Sequence, residues 1–189
     1  MDQTINQQII ISGVGGQGVL FVTRLLAEAA INKRLAVFTS ETHGMAQRGG
    51  TVLSHLKVGK FSSPLIRPAQ ADGLLALRAE NLAQHGAFLK DGGWVVANGD
   101  DDVKKNHNMP LDAIDADMLA QEIGNPKAVN LIVLGYTLAM AAKEGGNGNT
   151  LFCSLAEIKA VLEGRFGKNQ KMLKASLNAL DAGYNNRDW

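Results

Sequence analysis

The fold is decided by the stretch Ile9-Ile10-Ile11-Ser12-Gly13-Val14-Gly15-Gly16-Gln17-Gly18. Its three isoleucines form a short apolar run, which is typical of a buried strand. Gly13, Gly15 and Gly18 match the Gly-x-Gly-x-x-Gly pattern of a tight turn that joins a strand to a helix. Because such a turn directs backbone N–H groups at an anion, the stretch predicts a Rossmann-like start to an α/β fold.

The residues after this stretch complete a β-α-β unit. From residue 17 to about residue 33, apolar side chains recur at helical spacing. Residues 35–40 then predict a second strand, reached by a right-handed crossover. Further strands are expected over 51–58, 73–77 and 94–98. With a helix expected from about Ala79 and a turn over 90–93, this alternation predicts a three-layer α/β/α domain with a mostly parallel central sheet.

The C-terminal third is predicted to be helical. Helices are expected over 115–123, 127–143 and 168–182, and a capping box at Ser154 and Glu157 marks the start of another. The polar segment 99–108 is expected to be a surface loop. Its three adjacent aspartates lack the alternating ligands and the closing glutamate of a calcium loop, so no metal site is expected there.

Composition limits the classes of function. The 189 residues are 46% hydrophobic, which suits a single domain over 1–189. Nineteen basic and eighteen acidic residues leave a net charge of +1, so nucleic acid is not an expected partner. With neither an apolar run of roughly 20 residues nor a secretion signal, we expect a cytoplasmic protein away from membranes. With Cys153 as its single cysteine, the chain cannot form an internal disulfide. Nor can Cys153 alone hold an iron–sulfur cluster, which normally takes four thiolates.

The first glycine segment, residues 13–18, allows three interpretations. It fits NAD or FAD, because Glu41 ends the second strand near the place where a dinucleotide fold binds ribose. However, Glu41 follows Gly18 by 23 residues instead of the usual ~20, and no hydride-transfer site is apparent. Another phosphate-bearing ligand and a purely structural turn are the alternatives. Gly16 permits close approach of a ligand or a neighbouring chain, and Gln17 offers an amide donor to either.

The second glycine segment, residues 41–50, follows the second strand and is therefore expected at the same edge of the sheet. Arg48 is suited to clamp a phosphate or carboxylate, His43 to act as a titrating donor, and Met45 to contact a partner surface. Alternatively, Glu41 and Arg48 form an ion pair that only shapes the loop, and His43 is a surface residue. The candidate binding residues in the two segments are Gly13, Gly15, Gly16, Gln17, Gly18, Glu41, His43, Gly44, Met45, Arg48, Gly49 and Gly50.

Together, the two glycine segments resemble the gamma-type subunits of the 2-oxoacid:ferredoxin oxidoreductases. Residues 42–50, Thr-His-Gly-Met-Ala-Gln-Arg-Gly-Gly, are most similar to the small (beta) subunits of indolepyruvate:ferredoxin oxidoreductases. Pyruvate and 2-oxoglutarate members typically have Tyr-Gly in place of His43-Gly44, so they and the ketoisovalerate members are the second choice. The resemblance continues through 79–82, 130–135 and 178–184 and covers nearly the whole chain.

This resemblance implies a thiamine diphosphate enzyme that decarboxylates a 2-oxoacid, reduces ferredoxin through iron–sulfur clusters and transfers the acyl group to coenzyme A. This chain has no Gly-Asp-Gly segment followed by an Asn-rich stretch, and only Cys153 as a thiolate. Thiamine diphosphate, Mg and the clusters are therefore expected on a larger catalytic partner. This subunit is expected to be inactive alone, to carry no catalytic residue, to help bind coenzyme A and to form a homodimer when isolated. A stand-alone NAD(P) module and a pure assembly protein are the alternatives.

Overall fold

A six-stranded sheet forms the centre of the protein. The computed structural model describes residues 5–43, 50–106, 111–143 and 151–186. The strands are β1 (Gln7–Val14), β2 (Val37–His43), β3 (Thr51–Val58), β4 (Ala71–Ala76), β5 (Leu89–Asn98) and β6 (Asp112–Ile114). The helices are α1 (Val19–Asn32), α2 (Leu82–His85), α3 (Asp101–Asn106), α4 (Ala116–Glu122), α5 (Val129–Ala141), α6 (Leu155–Phe166) and α7 (Gln170–Asn185). Single 3-10 turns at Ala79–Asn81 and Gly86–Phe88 flank α2.

The strand order is β2-β3-β1-β4-β5-β6. β1, β4, β5 and β6 run parallel, whereas β3 is antiparallel to both β1 and β2. β2 therefore points the same way as β1, and the predicted mostly parallel α/β sheet is confirmed. However, β3 lies between the two strands of the expected β-α-β unit, because it returns beside β2 as the second strand of a hairpin.

The two faces of the sheet are covered unequally. Ile9 and Ile11 of β1 face the larger core beneath α1, α5, α6 and α7, whereas Ile10 faces a smaller core. Helix α5 is buried from Asn130 to Met140, as expected of a helix that is apolar all round and packed between neighbours. The smaller core lies under α2, its flanking turns and Ile66. The helical layer on the Ile10 face is therefore thinner than the layer on the Ile9 and Ile11 face.

Helices α5 and α7 approach each other through two glycines. A Cβ atom added at Gly183 would lie 1.9 Å from the backbone oxygen of Ile132, and one at Gly135 would lie 2.0 Å from that of Leu180. No side chain fits at either position without moving backbone. The predicted helices in this third are confirmed, including the capping box: Glu157 N–H donates to Ser154 Oγ (3.4 Å) and Ser154 N–H to Glu157 Oε2 (2.7 Å).

Three local predictions are corrected. The segment 99–108 is not wholly a loop, because α3 begins within it and Asp100 Oδ1 accepts from the N–H of Asp102 at 3.1 Å. Residues 90–93, expected to form a turn, belong to β5 instead. The pairing of β5 with β4 shifts register there, between Ala71 and Gly73. The helix expected from Ala79 is broken into turns. The short strand β6 was also missed, since three residues show no periodicity.

Candidate functional site at the carboxyl edge of the sheet

The two glycine segments meet at the carboxyl edge of the sheet. In the ladder, Gly13 of β1 lies opposite Val52 of β3, which in turn lies opposite His43 of β2. Beyond the strands, the backbone N–H of Gly15 donates to the carbonyl oxygen of Gly50 at 3.0 Å. The structure therefore brings at least one residue of each segment into direct contact, as expected for loops at one edge.

Part of the first glycine segment is held by its own hydrogen bonds. The side-chain oxygen of Gln17 accepts from Val14 N–H (2.9 Å), and Gln17 N–H donates to the carbonyl of Val14 (3.1 Å). The role of Gln17 as an amide donor to a ligand is thereby limited to its side-chain nitrogen. Within the described residues, no hydrogen bond engages the backbone N–H groups of Gly16 and Gly18.

Gly18 is the N-cap of α1 and has a left-handed backbone conformation, with φ at 81°. A Cβ atom there would lie 2.1 Å from the side-chain nitrogen of Asn130 at the start of α5. Gly16 also has positive φ, 93°, but no described residue lies within 4 Å of a Cβ atom added there. Among the described residues, no side chain caps α1, and its first turn contains no acidic residue. The positive end of the helix dipole therefore suits an anion.

The remaining candidates are placed differently. Glu41 is not in a loop but in β2, exposed and opposite Ser54. Strand β3 separates it from β1, whereas a dinucleotide fold presents its acid from the strand next to β1. His43 is the last residue of β2 and is described only through its backbone. Gly44, Met45, Arg48 and Gly49 lie outside the described residues, so the anion clamp by Arg48 and the Glu41–Arg48 ion pair stay predictions.

A cleft of about 590 Å³ lies beside the first glycine segment, over the ends of β4, β5 and β6. Its lining carries five carboxylates, those of Glu80, Asp100, Asp102, Asp115 and Asp117. Of the described residues that line it, only Arg78 is positively charged, and Glu80 pairs with it at 3.2 Å. Phosphate groups are repelled from such a surface. The glycine segments are therefore the better place for an anion than the cleft.

Several of these carboxylates have structural roles. Asp115 caps α4 by accepting from the N–H of Met118 at 2.9 Å. The buried side chain of Asn98, at the end of β5, donates to Asp117 (2.7 Å) and accepts from the N–H of Ala116 (3.0 Å). Sequence reasoning missed Asn98, although a polar residue ending an apolar strand was the available signal. The described residues contain no group of three or more His, Cys, Asp or Glu arranged to hold a metal ion.

A buried polar network lies behind the first glycine segment. Asn81, in the 3-10 turn after β4, donates from its side-chain nitrogen to the carbonyl oxygen of Gly13 (2.9 Å) and to Ser12 Oγ (3.1 Å). Ser12 Oγ lies 2.6 Å from Nδ1 of His85. Burial lowers the pKa of His85, which favours its neutral form. No local sequence pattern indicates this network, because Ser12 precedes Asn81 by 69 residues and His85 by 73.

Cys153 lies away from the candidate site. Its neighbour Phe152 donates its N–H to the side chain of Gln7, at the opposite end of β1 from the glycine segments. Burial, with the negative charge of Glu157, raises the pKa of the Cys153 thiol to about 12. A thiol of this kind is neither a reactive nucleophile nor a ready metal ligand. No helix in the described ranges is long and apolar enough to cross a membrane.

The sequence is similar to proteins named as oxidoreductase subunits. Indolepyruvate oxidoreductase subunit IorB of Archaeoglobus fulgidus is 42% identical over 90 residues, which are 48% of this chain and 45% of that protein. The IorB subunit of Thermococcus kodakarensis is 30% identical over 149 residues, covering 67% and 74% of the two chains. Ketoisovalerate oxidoreductase subunit VorA of Methanothermobacter marburgensis is 28% identical over 96% of this chain but only 36% of its own.

Solved structures share the fold. Pyruvate oxidoreductase subunit PORC of Thermotoga maritima matches with a TM-score of 0.75 at 23% identity, covering 97% of both chains. The keto/oxoacid ferredoxin oxidoreductase gamma subunit of Geobacter sulfurreducens gives 0.71 at 24% identity, covering 95% of this chain and 96% of its own. The 2-oxoglutarate:ferredoxin oxidoreductase of Magnetococcus marinus, solved with coenzyme A bound, gives 0.75 at 22% identity, covering 96% of this chain and 31% of its own.

The resemblance predicted from the two glycine segments is confirmed by these likenesses. The family described as pyruvate ferredoxin/flavodoxin oxidoreductase matches residues 8–186, which is nearly the whole chain. This chain therefore belongs to the pyruvate ferredoxin/flavodoxin oxidoreductase family.

Proposed function

We propose that this chain is the small subunit of a thiamine diphosphate-dependent 2-oxoacid:ferredoxin oxidoreductase and that it helps to bind coenzyme A. The complex would convert a 2-oxoacid, coenzyme A and oxidised ferredoxin to acyl-coenzyme A, carbon dioxide and reduced ferredoxin, in the cytoplasm. The observation that carries the coenzyme A role is the hydrogen bond from Gly15 to Gly50, which joins the two glycine segments at one edge.

The chemistry of this edge supports an anionic ligand. Coenzyme A contains a diphosphate and a ribose phosphate, and phosphates bind well at helix N-termini. In the part of the chain that the structure describes, no side chain caps the start of α1 and no hydrogen bond engages the N–H groups of Gly16 and Gly18, so they suit such a ligand. Arg48 is proposed to add a guanidinium. Coenzyme A bound to the Magnetococcus enzyme, which shares this fold, supports the same ligand here.

The redox chemistry requires a partner. With one cysteine, which is buried, this chain does not fit an iron–sulfur cluster, and its described residues offer no magnesium site for thiamine diphosphate. We therefore place both cofactors on a larger catalytic subunit, against which this chain packs. The expected 2-oxoacid is indolepyruvate, because the IorB relatives bear that name. Pyruvate, 2-oxoglutarate and ketoisovalerate are the alternative substrates.

Replacing Arg48 by alanine in the assembled complex tests the role in coenzyme A binding. Loss of one charge-assisted contact to a phosphate should raise the KM for coenzyme A about tenfold with little change in kcat. The matched control is Arg67→Ala, which removes an exposed arginine from another part of the surface and should leave the KM unchanged. Initial rates of ferredoxin reduction, measured over a range of coenzyme A concentrations, provide both constants.

The result distinguishes the alternatives. If Arg48→Ala weakens assembly with the catalytic subunit but leaves the KM for coenzyme A unaltered, the chain is an assembly protein instead. Calorimetric titration of the complex with NAD and NADP addresses the dinucleotide interpretation. We expect no binding heat, because β3 separates Glu41 from the first glycine segment. Tight binding of either nucleotide would contradict the proposal.

A further inference from the structure

The carbonyl oxygen of Gly13 is held by a side chain from outside the glycine segment. The parallel pairing of β1 with β4 ends at Ser12 and Ala76, followed by a hydrogen bond from Leu77 N–H to the carbonyl of Ser12 at 2.7 Å. Gly13 lies one residue beyond this point, and Asn81 Nδ2 donates to its carbonyl oxygen at 2.9 Å. Asn81 therefore fixes the chain where β1 becomes the glycine segment.

The chemistry of the partners fixes the orientation of the Asn81 side chain. The carbonyl of Gly13 only accepts, so the side-chain nitrogen of Asn81 must face it. The same nitrogen donates its second hydrogen to Ser12 Oγ at 3.1 Å. Ser12 Oγ also lies 2.6 Å from Nδ1 of His85, and the tautomer of His85 decides which of the two donates. Asn81 thus uses both of its donors, and neither can be supplied by a carboxylate.

We propose that Asn81 is a positioning residue that orients the backbone N–H groups of Gly16 and Gly18 toward the phosphates of coenzyme A. It acts through the carbonyl of Gly13 and touches neither ligand nor catalytic partner. This inference rests on the proposed function of the first glycine segment. Ser12 and His85 hold the side chain of Asn81 in place and are secondary to it.

The geometry gives Asn81 more than a packing role. It lies in the turn that follows β4, so it links two neighbouring strand ends at the edge where the ligand is proposed. Gly13 also lies against the start of α1, because a Cβ atom there would be 2.7 Å from Val19 Cγ2 and 3.0 Å from Gln17 Oε1. A shift at Gly13 therefore also displaces the start of α1, and with it the N–H groups of Gly16 and Gly18.

The decisive variant is Asn81→Asp, which keeps the size of the side chain but replaces both donors with acceptors. In the complex assembled with the catalytic subunit, we expect the KM for coenzyme A to rise at least fivefold, with kcat within twofold at saturating coenzyme A. Hydrogen exchange of the amides over 14–18 should become faster. Ser12→Ala keeps the bond between Asn81 and Gly13, so its KM should change less than twofold.

Thr137→Ala is the matched control for loss of a buried hydrogen bond. Thr137 is buried in α5, and its hydroxyl donates to the carbonyl of Val133 at 2.8 Å, away from the glycine segments. It should lower thermal stability without changing the KM or the exchange over 14–18. If Asn81→Asp does not assemble, Asn81→Ala takes its place in the same assays, with the same expected direction and at least a threefold rise in KM.

Two outcomes would overturn the inference. One is an Asn81 variant that loses stability like Thr137→Ala but keeps the KM for coenzyme A. The other is unaltered amide exchange over 14–18. Failure of the proposed function is separate, because it would show as an unaltered KM in Arg48→Ala and Asn81→Asp alike. A raised KM in Arg48→Ala with a normal KM in Asn81→Asp contradicts the positioning role alone.

Discussion

At the scale of single residues, Gly16 and Gly18 have the same type of backbone conformation but different surroundings. Both have positive φ, which strains any residue with a side chain. Only Gly18 also faces a neighbour, the side chain of Asn130, which a Cβ atom would displace. Gly18 therefore lies between the start of α1 and the start of α5, whereas Gly16 has no such neighbour among the described residues.

Alanine at these two positions separates the cost of backbone strain from the cost of displacing the side chain of Asn130. Gly16→Ala should destabilise the protein by about 1–2 kcal/mol, since a Cβ atom there meets no described residue and the left-handed backbone opposes the substitution. Gly18→Ala should cost more than Gly16→Ala and should also weaken coenzyme A binding, because Asn130 and the helix start must move. Urea unfolding measures the first effect, and the KM of the complex the second. Equal losses of stability would argue against the contact with Asn130.

At the scale of secondary structure, the pair α5 and α7 depends on close approach of backbones. Gly183→Ala forces Cβ against the carbonyl of Ile132, which cannot rotate away as a side chain can. Overpacking of this kind typically costs about 1–3 kcal/mol. In a protein of this size, each kcal/mol lowers the melting temperature by about 2–4 °C. Thermal unfolding followed by circular dichroism should therefore show a clear decrease in melting temperature.

The matched substitution is Gly164→Ala in α6. Apart from its chain neighbours and its own helix backbone, no described residue lies within 4 Å of a Cβ atom added there, and its backbone is helical. Alanine should therefore stabilise the helix by up to about 1 kcal/mol through its propensity alone. Opposite signs for the two Gly→Ala variants would confirm that the α5–α7 contact, and not helix propensity, sets the effect at Gly183. A stabilised Gly183→Ala variant would contradict this packing.

The secondary structure also shows how far the sequence could be interpreted. The helices of the last third were predictable because each repeats its apolar positions over several turns, and α6 begins with a capping box. The antiparallel direction of β3 could also have been predicted from the sequence. The seven residues 44–50 between β2 and β3 are too few for a parallel crossover, which takes a dozen or more. The network at Asn81 could not be predicted from the sequence, because only the folded chain brings Ser12, Asn81 and His85 together.

At the scale of the whole molecule, two buried histidines make stability depend on pH. Burial lowers the pKa of His85. Burial also lowers the pKa of His55, and the positive charges of Lys57 and, to a smaller extent, His85 lower it further. The unfolded chain therefore binds more protons than the folded protein below the ordinary histidine pKa of 6.5. The free energy of unfolding is at its full value above this pH and falls as pH decreases through it.

Urea unfolding between pH 7.5 and pH 5.5 should show this loss of stability. His85→Gln removes one of the two titrating groups while keeping a hydrogen-bond acceptor for Ser12, so the slope of stability against pH should become smaller. The remaining slope includes the contribution of His55, whose Nδ1 accepts from the N–H of Ile66 at 3.2 Å. An unchanged slope in the variant would mean that His85 is not the titrating group.

The two glycine segments at the carboxyl edge differ in how freely their sequences can change, because one of them connects the hairpin strands β2 and β3. Seven residue pairs, from Val37 with Val58 to His43 with Val52, fix the two ends of the connection 44–50. Its sequence can therefore vary without altering the register of the sheet. In contrast, Gly13 accepts a hydrogen bond from Asn81, and a Cβ atom would meet Val19 at Gly13 and Asn130 at Gly18. Divergence of ligand preference among related chains should accordingly accumulate in the hairpin connection, while the start of α1 stays the same.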